Sequence, residues 1–67
     1  MRLTEERAIR GWSRAELARR AGINASTAGL IESGRLRPYP SQLVKLARAL
    51  GVRESEAHLL LEEEASR

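Results

Sequence analysis

Residues 13–34, SRAELARRAGINASTAGLIESG, carry the pattern that most restricts what this chain can fold into. Ser13 with Glu16 three residues later reads as a capping box, in which each side chain serves a free backbone N–H at a helix start. Leu17, Ala18 and Ala21 then fall on one face at helical spacing. Gly22 follows the last apolar residue, where a left-handed ending costs glycine no Cβ clash. Ile23 plugs the turn, Asn24 caps the next helix, and Thr27, Ala28 and Ile31 continue a second apolar stripe up to Gly34. Small Ala18 permits a close crossing. The stretch therefore predicts two short helices packed steeply across one tight turn.

The flanks supply what this pair needs to bury its apolar faces. A first helix is expected from about Leu3 to Arg10, stopped by Gly11, with Glu5 and Glu6 at the positive end of its dipole. The segment GRLRPYP over residues 34–40 reads as a loop, since each proline disfavours helix in the residue before it. A fourth helix is expected from Pro40 to Leu50, with Leu43, Leu46, Ala47 and Leu50 as its buried stripe and Gly51 as its stop. Val52 should drop into the core. A fifth helix is expected over about residues 54–65, burying Ala57, Leu60 and Leu61 and leaving Leu59 exposed. Trp12 reads as a core anchor rather than a base-stacking platform, because it and Tyr39 are the only aromatics.

The residues Arg7, Gly11, Ser13, Glu16-Leu17-Ala18, Ala21-Gly22-Ile23, Ser26-Thr27, Ile31-Glu32, Gly34-Arg35 and Pro38 stand at the spacings just described, and Leu46-Ala47 with Ala49-Leu50-Gly51-Val52 completes them. Together they resemble the helix-turn-helix of the phage-repressor (Cro-like, XRE-like) DNA-binding domains over roughly Leu3 to Leu61. The resemblance implies an all-α, compact, five-helix lambda-repressor-like fold in a single domain over residues 1–67, with the helix-turn-helix at about 13–34.

The resemblance also implies roles. Arg7 and Glu32 would form a structural ion pair between the first helix and the third. The third helix would enter the major groove, with Ala25, Ser26 and Leu30 facing bases. Arg14, Thr27, Arg35 and Arg37 would contact phosphates; Arg14 does so beside the free N–H groups of a helix start. Here the sequence departs from the family, whose members usually carry long polar side chains at the base-facing positions. Only Ser26 can hydrogen-bond a base edge; Ala25 and Leu30 offer apolar contact to a thymine methyl. Gly29 weakens the same helix.

Charge follows the same division. The chain of 67 residues has 12 Lys+Arg and 9 Asp+Glu, a net charge of +3. Residues 1–53 hold 11 of the cations and 4 glutamates, whereas residues 54–67 hold 1 arginine and 5 glutamates. All but one of the cations are arginine, whose planar fork suits phosphate. The acidic run Glu62 to Glu64 is expected to point away from DNA. With no cysteine and one histidine, His58, neither a disulfide framework nor a metal site is expected. No cofactor, no small-molecule ligand and no membrane span are expected, and no nucleophile–base pair suggests an enzyme.

The expected function is a DNA-binding transcriptional regulator of phage or prokaryotic repressor type, acting on double-stranded DNA in the cytoplasm or nucleoid. The consecutive leucines 59–61 cannot all face one stripe, so apolar surface is left for a homodimer contact through the C-terminal helix. The alternative is a protein-interaction module, antitoxin-like or a transcription accessory, that uses the apolar third helix and the leucine-rich tail.

Overall fold

The computed structural model describes residues 1–63. Outside it lie residues 64–67, which include Glu64 of the acidic run and Ala65, the expected end of the fifth helix. The described chain is all-helical, without a strand. Helix α1 spans Arg2–Ile9, α2 Arg14–Ala21, α3 Ala25–Glu32 and α4 Pro40–Leu50, and a 3₁₀ helix spans Glu54–Leu61.

The boundaries have local causes. Ser13 Oγ accepts the Glu16 backbone N–H at 3.0 Å and opens α2. The other arm expected of a capping box goes elsewhere. The Glu16 carboxylate accepts from Arg19 and Arg20, which helical spacing sets beside it. Gly22 closes α2 at φ +74°, a left-handed value at which a Cβ would be strained. Asn24 Oδ1 then accepts the Ser26 N–H at 2.7 Å and opens α3. Helix α4 starts with Pro40 in its first turn, with Gln42 Oε1 accepting the Tyr39 N–H at 2.9 Å. Helix α1 begins and ends one residue before its expected limits, with Arg10 as its cap.

The C-terminal element departs most from expectation. It is a 3₁₀ helix and ends at Leu61. The N–H of Glu56 donates to Arg53 O at 2.9 Å and that of Glu62 to Leu59 O at 3.1 Å. A three-residue period stacks Ala57 directly under Leu60, and both are 3% exposed. Leu59 is half-buried rather than exposed, as is Leu61. Runs of 3₁₀ this long are uncommon alone; this one lies against α4 and α1, whose contacts hold it.

Leu3, Leu17, Ile31 and Leu46 form the centre of the core, with Ala21, Ala47, Leu50, Ala57 and Leu60 around them. Ala18 and Ala28 are also buried, where α2 and α3 pack together. Val52 packs half-buried at the rim. Trp12 is half-buried too: one side rests on the core, and the guanidinium carbons of Arg20 and Arg10 lie 4.3 and 5.7 Å from its ring centre. Arg10 does more than cover the ring. Its Nη2 donates at 2.6 Å to Leu50 O, a carbonyl in the last turn of α4, and its Nη1 meets Glu6 Oε1 at 2.8 Å. The chain also returns to its start. The Arg2 N–H donates to Glu62 O at 2.9 Å, and the Met1 ammonium lies 3.5 Å from Glu63 Oε1.

Candidate nucleic-acid interface

Helix α3 buries one side and presents the other. Ala28, Ile31 and Glu32 are buried, whereas Ala25, Ser26 and Leu30 are exposed, Leu30 at 42%. Ser26 and Leu30, four residues apart, share a face. Thr27 is half-buried at its edge. Gly29 is half-buried beside this arc, and a Cβ built on it would meet nothing within 4 Å. The outward surface of α3 is therefore low and mostly apolar, with the Ser26 hydroxyl as its polar group.

The loop that follows is tied to the end of α3. The N–H groups of Arg35 and Leu36 both donate to Leu30 O, at 2.9 and 3.2 Å, and Gly34 makes the turn at φ +80°. Arg35 and Arg37 are exposed, and neither side chain has a partner among the described residues. Both guanidinium groups face solvent without an ion pair among the described residues. Arg19 and Arg20 differ, since both are bound to Glu16. Those hydrogen bonds, from Arg19 and then Arg20, hold the Glu16 carboxyl below the usual carboxylate range. Arg37 also borders a shallow groove shared with Met1, Ile31, Gly34, Leu36, Pro38, Leu61 and the acidic Glu63.

Behind this surface lies a charged cluster centred on Glu32, whose side chain is 0% exposed. Arg7 grips the carboxylate with both edges of its fork, Nε to Oε2 at 2.8 Å and Nη2 to Oε1 at 3.0 Å. Its remaining nitrogen, Nη1, donates to Trp12 O at 2.8 Å. Thr4 Oγ1 donates to Oε1 at 3.0 Å, and Arg14 Nε reaches the same oxygen at 3.4 Å. Burial pushes the Glu32 carboxyl pKa up. The hydrogen bonds from Arg7 and Thr4, with the charges of Arg7 and Arg14, outweigh that and hold it below the usual range. The cluster fastens α1, α2 and α3 to one another, and its outermost member is Arg14, 55% exposed at the start of α2.

The structure thus joins Arg7, Arg14 and Glu32, and it connects Arg35 to α3 through Leu30 O. It adds one partner to the cluster, Thr4, and outside the cluster it sets Arg10 on the Leu50 carbonyl. Thr4 stands three residues before Arg7 on the same face of α1, which is a usable signal once Glu32 is known to be their shared acceptor. Nothing in the sequence points Arg10 at a carbonyl 40 residues away. Among the described residues, no group of three or more His, Cys, Asp or Glu could hold a metal ion. No described helix is long and apolar enough to cross a membrane.

Over residues 1–60 the sequence matches the family model described as a helix-turn-helix domain. No curated protein and no solved structure matches the chain.

Proposed function

The chain belongs to the helix-turn-helix domain family, and from that premise we propose that it is a DNA-binding transcriptional regulator that represses by occupying duplex DNA, in the manner of phage-type and prokaryotic repressors. In this proposal α3 lies in the major groove, with Ser26 against a base edge and Ala25 and Leu30 against thymine methyls. Arg14, Thr27, Arg35 and Arg37 take phosphates. Most of the affinity comes from those phosphates and from DNA shape, because α3 offers so few polar groups. A homodimer through the C-terminal 3₁₀ helix and action in the cytoplasm or nucleoid belong to the same proposal.

The observation that carries it is the exposed face of α3 continuing directly into a loop with two exposed arginines that pair with no side chain among the described residues. Selection of bound duplexes from a random pool, with affinity followed against salt, tests it. Recovery of a palindromic consensus supports a dimeric sequence reader, whose half-sites would lie about 34 Å apart. Arg14→Ala should weaken binding while the fold persists, since Arg7 and Thr4 still hold Glu32; unchanged affinity rejects the phosphate role of Arg14. The 42% exposure of Leu30 favours one second reading, a protein-interaction surface on α3. A failure to retain any duplex selects it.

A further inference from the structure

The carboxylate of Glu32 faces more positive charge than it needs. Arg7 alone supplies a full guanidinium in two-point contact, at 2.8 and 3.0 Å. Arg14, from the start of the next helix, brings a second at 3.4 Å. Thr4 adds a neutral donor on Oε1. With α1 and α2 supplying two cations to one anion, the cluster holds a surplus positive charge. Arg7 and Glu32 are 15% and 0% exposed, so solvent meets that charge at Arg14, 55% exposed. The geometry at Arg14 is also directional. Glu32 takes its Nε, and no other side chain among the described residues takes its Nη atoms.

We propose that Glu32, though buried away from any ligand, is a positioning residue for DNA binding: by accepting Arg14 Nε it holds that guanidinium at the start of α2 with its Nη edge free for a backbone phosphate. The proposal rests on the phosphate role given to Arg14 above. A long side chain at a helix start otherwise samples many rotamers, and ordering it is a cost of binding. Here the cost is met on folding, and Arg7 and Thr4 keep the acceptor still. The arrangement also explains why a carboxylate beside a DNA-binding surface does not repel its ligand: two guanidinium groups more than neutralise it.

A double-mutant cycle on the full chain tests this, with binding to a short mixed-sequence duplex at low salt read by fluorescence anisotropy. Arg14→Ala removes the guanidinium that Glu32 holds and leaves nothing at position 14 for it to position. With Arg14 present, Glu32→Gln should weaken binding roughly three- to tenfold, within the range of measured couplings between contacting residues. With Ala at position 14, the same change should leave affinity unaltered or raise it, since only a negative charge is removed. Equal effects in both backgrounds overturn the positioning role. If Arg14→Ala changes neither affinity nor salt slope, the phosphate role falls first and the positioning role with it. Should Glu32→Gln fail to fold by circular dichroism, the unsubstituted chain decides. Its Arg14 Nε–H should exchange with water more slowly than those of Arg35 and Arg37, and equal rates overturn the proposal.

Discussion

Replacing Arg7 with methionine should be among the most damaging single changes in this chain. The substitution keeps most of the aliphatic stem and removes three hydrogen bonds at once, two to Glu32 and one to Trp12 O. The carboxylate left behind is fully buried, held by Thr4 at 3.0 Å and Arg14 at 3.4 Å. Breaking a buried pair by removing one partner costs about 3–5 kcal/mol. Arg14 already stands on the same oxygen and offsets part of that, so the lower end, about 3 kcal/mol, is expected. A chain of this length has a total stability of only about 3–10 kcal/mol. The variant is therefore best measured by urea unfolding near the temperature of maximum stability. Arg10→Ala supplies the scale. Arg10 is 29% exposed and bonds a neutral carbonyl and a partly solvated carboxylate, so its loss should cost about 1–1.5 kcal/mol. The companion variant carries Arg7→Met and Glu32→Leu together. It leaves no uncompensated buried charge, since Arg14 is 55% exposed, and should recover most of the loss, because apolar replacement of a buried pair is often neutral. Equal losses for Arg7→Met and Arg10→Ala, or a double variant no better than Arg7→Met alone, would refute the reasoning.

Three further outcomes are expected. The Glu32 carboxyl is held below its ordinary value of 4.5 in the folded chain; its contribution to stability is complete above that value and is lost as pH falls through the lower folded value. The stability difference between the parent and Glu32→Gln should thus shrink in acid titrations below pH 4.5, and a difference constant with pH would contradict it. Gly29→Ala should raise stability by up to about 1 kcal/mol, since the site is helical and open, and a lower melting temperature would show that the glycine is needed for packing. Arg35→Ala and Arg37→Ala should each reduce the slope of log affinity against log salt by about 1 without changing any preferred sequence; an unchanged slope removes that arginine from the phosphate contacts.

Helices closed by strong local chemistry are legible in the sequence. Ser13 and Gly22 bracket α2 and Pro40 and Gly51 bracket α4, and both helices run between the limits these residues set. The C-terminal element is less legible because an α-helix and a 3₁₀ helix share a composition and differ in hydrogen-bond period. Packing of Ala57 and Leu60 against α4 and α1 settles that choice, and this information is not local. The same limit applies to Arg10 and Trp12. Their residue types are visible, but that a guanidinium caps α4 and stacks on the ring depends on how α1 and α4 meet. Within the candidate site, the exposed arc of α3 follows from its apolar period. The roles of Ala25, Ser26, Thr27 and Leu30 toward DNA come only from resemblance, because exposure alone does not name a ligand.

The contact between Arg2 N–H and Glu62 O has a consequence for any larger assembly built on this fold. Viewed as a polymer, the described chain is a ring fastened by one backbone bond and by the ammonium of Met1 beside Glu63. A peptide joined ahead of Met1 replaces that ammonium with a neutral amide and leaves from the corner where Glu62 and Glu63 lie. A short bridge from Glu63 back to Met1 would permit new termini elsewhere in the described residues. The exposed 33–39 loop is the natural place to open it, at the cost of the connection that carries Arg35 and Arg37.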